Sequence, residues 1–208
     1  ENIQFLEPIE IPKVTILGTI YDGDKYIEQF LENIINQTIF DRCELILIDA
    51  NSPGNEQEII SRYTKKYDNI IYKRLDHRAT TGEAFNMGIE MSSGEFLTLG
   101  LIDDVRRRDG LEILAKHLML SPMPMWRKEM NVKHGLFDTT FDFADDWEMW
   151  LRAVSGGSKF KKVDAVVGLY LTGGRSQSEV LNLKQKSEES ELFFKYSHLF
   201  GGNYDKFK

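Results

Sequence analysis

The chain reads as an α/β protein: a doubly wound, mostly parallel sheet flanked by helices, with a helical extension at its C-terminal end. Three observations carry this reading. Strand-like and helix-like segments alternate four times in the first 120 residues. The segment Glu44-Leu45-Ile46-Leu47-Ile48-Asp49 is apolar at successive positions, as a strand covered on both faces requires. Two strand-like runs end on carboxylates, at Asp49 and at Asp103–Asp104, and in open α/β sheets ligands bind beyond the carboxyl ends of strands.

Residues 1–12, with Pro8 and Pro12 and no period, read as an arm. Lys13 to Thr19 is a short β-branched run and is expected as the first strand. Asp22-Gly23-Asp24 makes a turn, and the helix that follows carries Ile27, Phe30, Leu31, Ile34 and Ile35 on one face. Glu44 to Asp49 is the second strand. Asn51-Ser52-Pro53-Gly54 breaks the chain before a helix over 55–67, and Ile70 to Leu75 is the third strand. The Thr80-Thr81-Gly82 turn starts a helix through Ala84, Met87 and Met91. Phe96 to Ile102 is the fourth strand, and Leu111, Leu114, Ala115 and Leu118 mark the next helix. Beyond it the pattern is less regular. A helix from Asp145 places Trp147, Trp150, Leu151 and Val154 on an apolar stripe, Val163 to Leu171 reads as a strand, and 178–200 as a last helix that docks on its own domain or on a second copy. Asp145 and Glu148, three apart at the start of that stripe, have the spacing of a capping box.

Composition narrows the partners. At 208 residues the chain is one domain or one domain with an appendage. A net charge of -7 argues against nucleic acid as the main partner. Arg106, Arg107 and Arg108 follow the Asp pair, which suits either a phosphorylated ligand bound through a metal or a solvated helix start. Cys43, the lone cysteine, fits a reducing compartment. No run reaches transmembrane length and no signal peptide is visible. A start at Glu1 rather than Met points to processing or to a longer parent chain, so an anchor outside these residues stays open. The expected setting is the cytoplasm or the inner face of a membrane.

The most informative stretch is Gly94 to Asp104, an apolar run that ends in Asp103 and Asp104. Carboxylates at that position suit a hard divalent cation working with substrate phosphates. The plain alternative is that the pair ends the strand and caps the helix starting near Arg108.

Taken in order, the segments resemble the family 2 glycosyltransferases of the GT-A fold. Val14 to Gly23 is similar to that family's opening strand and turn, and Phe30 to Thr38 to its first helix. Glu44 to Ser52 resembles the strand whose Asp contacts the nucleotide base. Gly82 to Ile89, with Ser93-Gly94-Glu95-Phe96, resembles the helix and strand leading to the metal motif. Pro124 to Lys128 and Gly135 to Asp138 resemble the acceptor-side segment, and Asp145 to Arg152 the helix carrying the catalytic base. The likeness covers about residues 13–175, with a nucleotide-sugar half over 13–120, an acceptor half over 121–175, and an extension over 176–208. Two departures stand out. Leu101 occupies the place of the first Asp in the family's usual Asp-x-Asp-Asp, and the interval from Leu118 to Pro124 is short.

The resemblance implies an inverting, metal-dependent hexosyltransferase of polysaccharide biosynthesis. Such an enzyme moves a sugar from a nucleotide-diphosphate sugar to a hydroxyl of a saccharide, lipid-linked or protein acceptor. Asp103, with Asp104 close by, would hold Mn2+ or Mg2+ against the leaving diphosphate. Arg127 or Arg175 would add fixed positive charge, and Asp146 would be the general base for the acceptor. Thr19, Tyr21, Asp49, Asn51, Gly82, Asn86 and Arg175 are the expected donor-site residues. Trp126 reads equally as an acceptor platform or a core aromatic, while Trp147 and Trp150 read as core. Homo-oligomers and peripheral membrane association stay open. A nucleotidyltransferase would need a Gly-rich basic loop after the first strand, and Thr19-Ile20-Tyr21-Asp22-Gly23-Asp24 is acidic instead. A nucleotide-sugar binding module without turnover is the remaining rival, suggested by Leu101 and the short acceptor region.

Overall fold

The computed structural model describes residues 11–117, 123–162, 164–169 and 179–201. Within them the chain runs β1 (Val14–Ile20), α1 (Asp24–Ile35), β2 (Cys43–Asp49), α2 (Glu56–Thr64), β3 (Ile70–Arg74), α3 (Thr81–Met91) and β4 (Phe96–Leu99). It continues with β5 (Val105–Arg106), α4 (Gly110–His117), β6 (Met125–Arg127), α5 (Glu129–His134), α6 (Asp145–Ser155), β7 (Gly168–Leu169) and α7 (Glu179–Lys195). The five-stranded sheet has the order β3-β2-β1-β4-β6. Its first four strands are parallel, and β6 is antiparallel to β4 with Phe96 opposite Arg127. β5 and β7 form a separate two-stranded ribbon.

Strand alternation divides the core. Ile16, Leu45 and Leu47 face α1, α2 and α4, while Leu17, Ile46 and Ile48 face α3 and α6. This explains the unbroken apolar runs: every residue of β2 is buried. From β1 the chain winds one way through β2 and β3, then returns to place β4 on the other side of β1. The order reverses between β1 and β4, and a crevice at their carboxyl ends is the expected ligand site of such a sheet.

The helix after β3 starts as its sequence suggests. Thr80 Oγ1 accepts from the Glu83 amide at 3.2 Å, and Glu83 Oε2 accepts from the Thr80 amide at 2.7 Å. At the amino edge of the sheet, buried Glu44 accepts from Thr15 Oγ1 at 2.6 Å and from Ser93 Oγ at 2.5 Å, and it pairs with Lys13 at 2.8 Å. Burial alone would raise this carboxyl, but the hydrogen bonds from Lys13, Ser93 and Thr15 bring it down to about 2.

Several expectations are corrected. The fourth strand stops at Leu99: the Gly100 amide still donates to Leu17 O at 2.7 Å, and the chain then turns at Ile102–Asp103, with the Asp104 amide donating to Leu101 O at 3.2 Å. Of the strand expected over Val163 to Leu171, Gly168–Leu169 pairs with β5, and residues 163, 170 and 171 lie outside the described residues. β5, β6 and α5 are too short to carry a period, so sequence reading passed over them. The capping box at the start of α6 does not form: the helix has no side-chain cap of its own. Glu148 turns inward to Arg152, Lys195 and the Tyr196 hydroxyl. That rotates the buried stripe to Asp145, Glu148, Met149 and Ala153, and leaves Trp147 44% and Val154 38% exposed. Trp126 is core, with its indole N–H donating to Asn131 Oδ1 at 2.7 Å and Trp150 edge-on at 5.2 Å. The last helix docks on its own domain through Leu192 and Tyr196, which pack on Phe141 and Ala144. No helix among the described residues is long and apolar enough to cross a membrane.

Candidate functional site

A cavity of about 650 Å³ opens at the carboxyl edge of β1 and β4. Thr19 and Tyr21 bring it the end of β1, Ala50 the end of β2, Arg78 the loop after β3, and Leu101 and Asp103 the turn after β4. Tyr21 is 40% exposed and stands at the rim. The Arg78 guanidinium lies over its ring with Cζ 3.4 Å from the centroid, a cation–π stack. Sequence reading missed Arg78, because a lone arginine in a polar loop carries no spacing signal.

The carboxylate pair after β4 splits. Asp103 is half-buried on the cavity wall. Asp104 is 6% exposed and turns inward toward Arg106, whose own guanidinium is buried under the sheet and donates to Thr98 Oγ1 at 3.2 Å and to Leu99 O. Burial lowers the Arg106 pKa to about 10, against the opposing charge of Asp104. The three-arginine run therefore splits: Arg107 and Arg108 are exposed just ahead of α4, as a solvated helix start requires, while Arg106 is buried. That first member of the run braces the turn that presents Asp103.

Three expected donor residues are engaged by other parts of the fold. Asp49 is fully buried and accepts from the Ser52 amide at 2.7 Å, the Tyr72 hydroxyl at 2.6 Å and Arg74 Nη1 at 3.2 Å, so it does not meet the cavity. Its neighbour Ala50 does, because adjacent residues at a strand end point to opposite sides. Asn51 takes a left-handed conformation at φ 62 and accepts from Arg74 Nη2 at 3.1 Å, which fixes the loop. Asn86 spends its whole amide on Phe137, donating to its carbonyl at 2.9 Å and accepting from its amide at 2.8 Å.

Gly82 lies in the first turn of α3, where a Cβ would come within 3.2 Å of Asp145 Oδ2. The absent side chain lets the start of α6 approach α3 closely. Arg127 is displaced altogether. Its antiparallel pairing with Phe96 carries it to the amino end of β4, the edge opposite Asp103. There it ion-pairs with Glu95 and lines a separate cavity of about 290 Å³ with Trp126, Lys133 and Phe160. Arg175 lies outside the described residues.

Asp145 and Asp146 open α6. Asp145 is 8% exposed, and burial, helped by the charge of Asp146, pushes its pKa up to about 7. Asp146 is half-buried, accepts from the Trp147 amide at 2.7 Å, and is also raised by burial. Carboxyls held above their usual range are suited to proton transfer near neutral pH. The acidic residue that reaches the cavity from this region is Asp142, just before the helix.

Among the described residues no three His, Cys, Asp or Glu side chains gather into a ready-made cation cage. Asp103 fits a cation of the Mg2+ or Mn2+ type, which binds through one or two carboxylates and completes its shell with water and substrate phosphate. Asp22 and Asp142 line the same cavity.

Residues 15–119 match the family described as glycosyl transferase family 2. The glycosyltransferase GlyG of Streptococcus pneumoniae is 28% identical over 105 residues, which cover 50% of this chain and 35% of GlyG. The minor teichoic acid biosynthesis protein GgaB of Bacillus subtilis is 30% identical over 44% of this chain and 10% of its own length. This chain thus spans a minor part of these relatives. Among solved structures, the mannosyltransferase PcManGT from Pyrobaculum calidifontis, in complex with GDP-Man and Mn2+, superposes with a TM-score of 0.76. The match covers 90% of this chain and 64% of that one at 16% identity. TarS of S. aureus, in complex with UDP-GlcNAc, superposes with a TM-score of 0.72 over 87% of this chain and 66% of its own, also at 16% identity. The shared fold is the GT-A type.

Proposed function

Because the chain belongs to glycosyl transferase family 2, we propose that it moves a sugar, with inversion, from a nucleotide-diphosphate sugar to a hydroxyl of a saccharide acceptor. The observation that carries the proposal is the cavity at the point where the strand order reverses, with a stacking platform and a carboxylate on its wall. The Tyr21–Arg78 stack offers an aromatic face and a fixed cation to the nucleotide. Ala50 leaves room beside it. Asp103 would hold a divalent cation, which when bound neutralises the charge that builds on the departing diphosphate.

The chain's own residues do the rest. Leu101 and Ile102 exclude water from one wall. The Asp145–Asp146 pair at the start of α6 takes the acceptor proton, with Asp146 as the base. Asp145, held up to about 7, stays largely protonated below neutrality and spares Asp146 a charged neighbour. One candidate base, with no nucleophile paired to it among the described residues, supports inversion. The solved neighbours bind GDP-Man with Mn2+ and UDP-GlcNAc, and the name of GgaB ties it to teichoic acid. These favour a sugar donor and a cell-envelope polymer as acceptor here.

Thermal unfolding with UDP, GDP, CDP and dTDP, each with and without Mn2+, tests the donor assignment by mass action. A metal-dependent rise with one base supports it and names the donor. No rise with any of the four rejects it. A rise without transfer to any acceptor would make the chain a binding module.

A further inference from the structure

The cavity has a wall that the sequence motifs do not account for. Asp142 reaches it from the loop before α6, and it is held there from behind by α7. Glu188 of α7, 7% exposed, accepts from the backbone amides of Asp142 at 3.1 Å, Phe143 at 2.9 Å and Ala144 at 3.1 Å. Those amides lead into α6, where a helix start leaves N–H groups without partners in the helix. A carboxylate there is favoured by the helix dipole as well as by the bonds themselves. Lys184, one turn earlier on α7, meets Asp142 Oδ2 at 2.8 Å. Leu192 and Tyr196 seal the loop against Phe141 and Ala144. One helix therefore sets both the backbone and the side chain of Asp142.

Chemistry limits what this carboxylate meets. It has only acceptor oxygens, and it would repel a diphosphate. The base end of the cavity has its platform in Tyr21 and Arg78, and the diphosphate has its cation site at Asp103. The donor groups left for Asp142 are neutral hydroxyls. Resting on the donor reading above, we infer that Asp142 selects the sugar of the nucleotide sugar by accepting its hydroxyl hydrogens, and that Glu188 is its positioning residue. Sugar choice then depends on α7, beyond the stretch matched to the family.

Calorimetric titration of the protein in Mn2+ with UDP, UDP-GlcNAc, GDP and GDP-mannose tests this. In Asp142→Ala the preferred nucleotide sugar should weaken by about tenfold or more, the worth of a charge-assisted hydrogen bond, while its bare diphosphate changes less than about twofold. Glu188→Ala should show the same selective loss, and Glu188→Gln, which keeps one acceptor oxygen, part of it. The double variant with Asp142→Ala should be no weaker than Asp142→Ala alone, as coupled residues require. If Asp142→Ala weakens diphosphate and nucleotide sugar alike, Asp142 serves the cation and the inference is overturned. Unchanged affinities overturn it too. If the unaltered protein binds none of these ligands, and none of UDP, GDP, CDP and dTDP with Mn2+ raises its unfolding temperature, the donor reading itself fails, a result distinct from either.

Discussion

Arg78 lies flat over Tyr21, its guanidinium carbon 3.4 Å from the ring centroid, at the rim of the cavity where the sheet reverses its order. Neither residue is buried in the core, so the stack is free to serve a ligand. Arg78→Ala should weaken nucleotide binding by about tenfold, the scale of a partly desolvated cation–π contact, with the unfolding midpoint hardly moved. Calorimetric titration of the variant with the nucleotide that stabilises the parent protein checks this. Unchanged affinity would move the base elsewhere.

Asp103 and Asp104 are adjacent yet face different surroundings, one the cavity and the other the buried Arg106. Asp103→Asn should abolish the metal dependence of nucleotide binding and leave stability within about 0.5 kcal/mol, as for a surface change. Asp104→Asn should do the reverse. It leaves Arg106 less compensated in the interior, at roughly 3 kcal/mol, while a folded fraction still responds to Mn2+. Denaturant titrations and metal-dependent thermal shifts of both variants separate the two roles.

Asp145 gives the fold a pH signature. Its pKa of about 7 against an ordinary 3.8 means that the native state keeps a proton which the unfolded chain gives up. The stability this group contributes is full below pH ~4 and is lost as pH rises through ~7. Asp145→Asn should flatten that decline, so that the variant gains on the parent protein as pH rises from 5 to 8. Urea unfolding across the range reads it directly, and parallel curves would refute the assignment.

Glu44 works in the opposite sense. Its pKa falls from 4.5 to about 2, so its stabilisation is present above pH ~4.5 and is lost as pH falls toward ~2. Glu44→Gln should cost about 1–3 kcal/mol at neutral pH, because the bonds from Lys13, Thr15 and Ser93 lose their charged acceptor. The variant should also unfold less steeply in acid.

What the sequence determined by itself was the layering and the place of the crevice. Period and apolar runs depend on near neighbours, so β1, α1, β2, α2, β3 and α3 fall where spacing puts them, and the carboxylates after β4 mark the turn beyond the sheet, although the strand itself ends earlier, at Leu99. Tertiary structure decided which side chains enter the crevice. Alternation at a strand end turns Asp49 into the core and leaves Ala50 on the wall, and only the packed Tyr72 and Arg74 show that Asp49 is already occupied. Antiparallel pairing sends Arg127 to the far edge, a direction that no local spacing encodes. Arg78 acquires meaning from Tyr21, fifty-seven residues earlier, and Asp142 from Glu188, forty-six residues later. Such contacts depend on where distant elements dock, and that is settled by burial of whole faces rather than by any segment's own pattern.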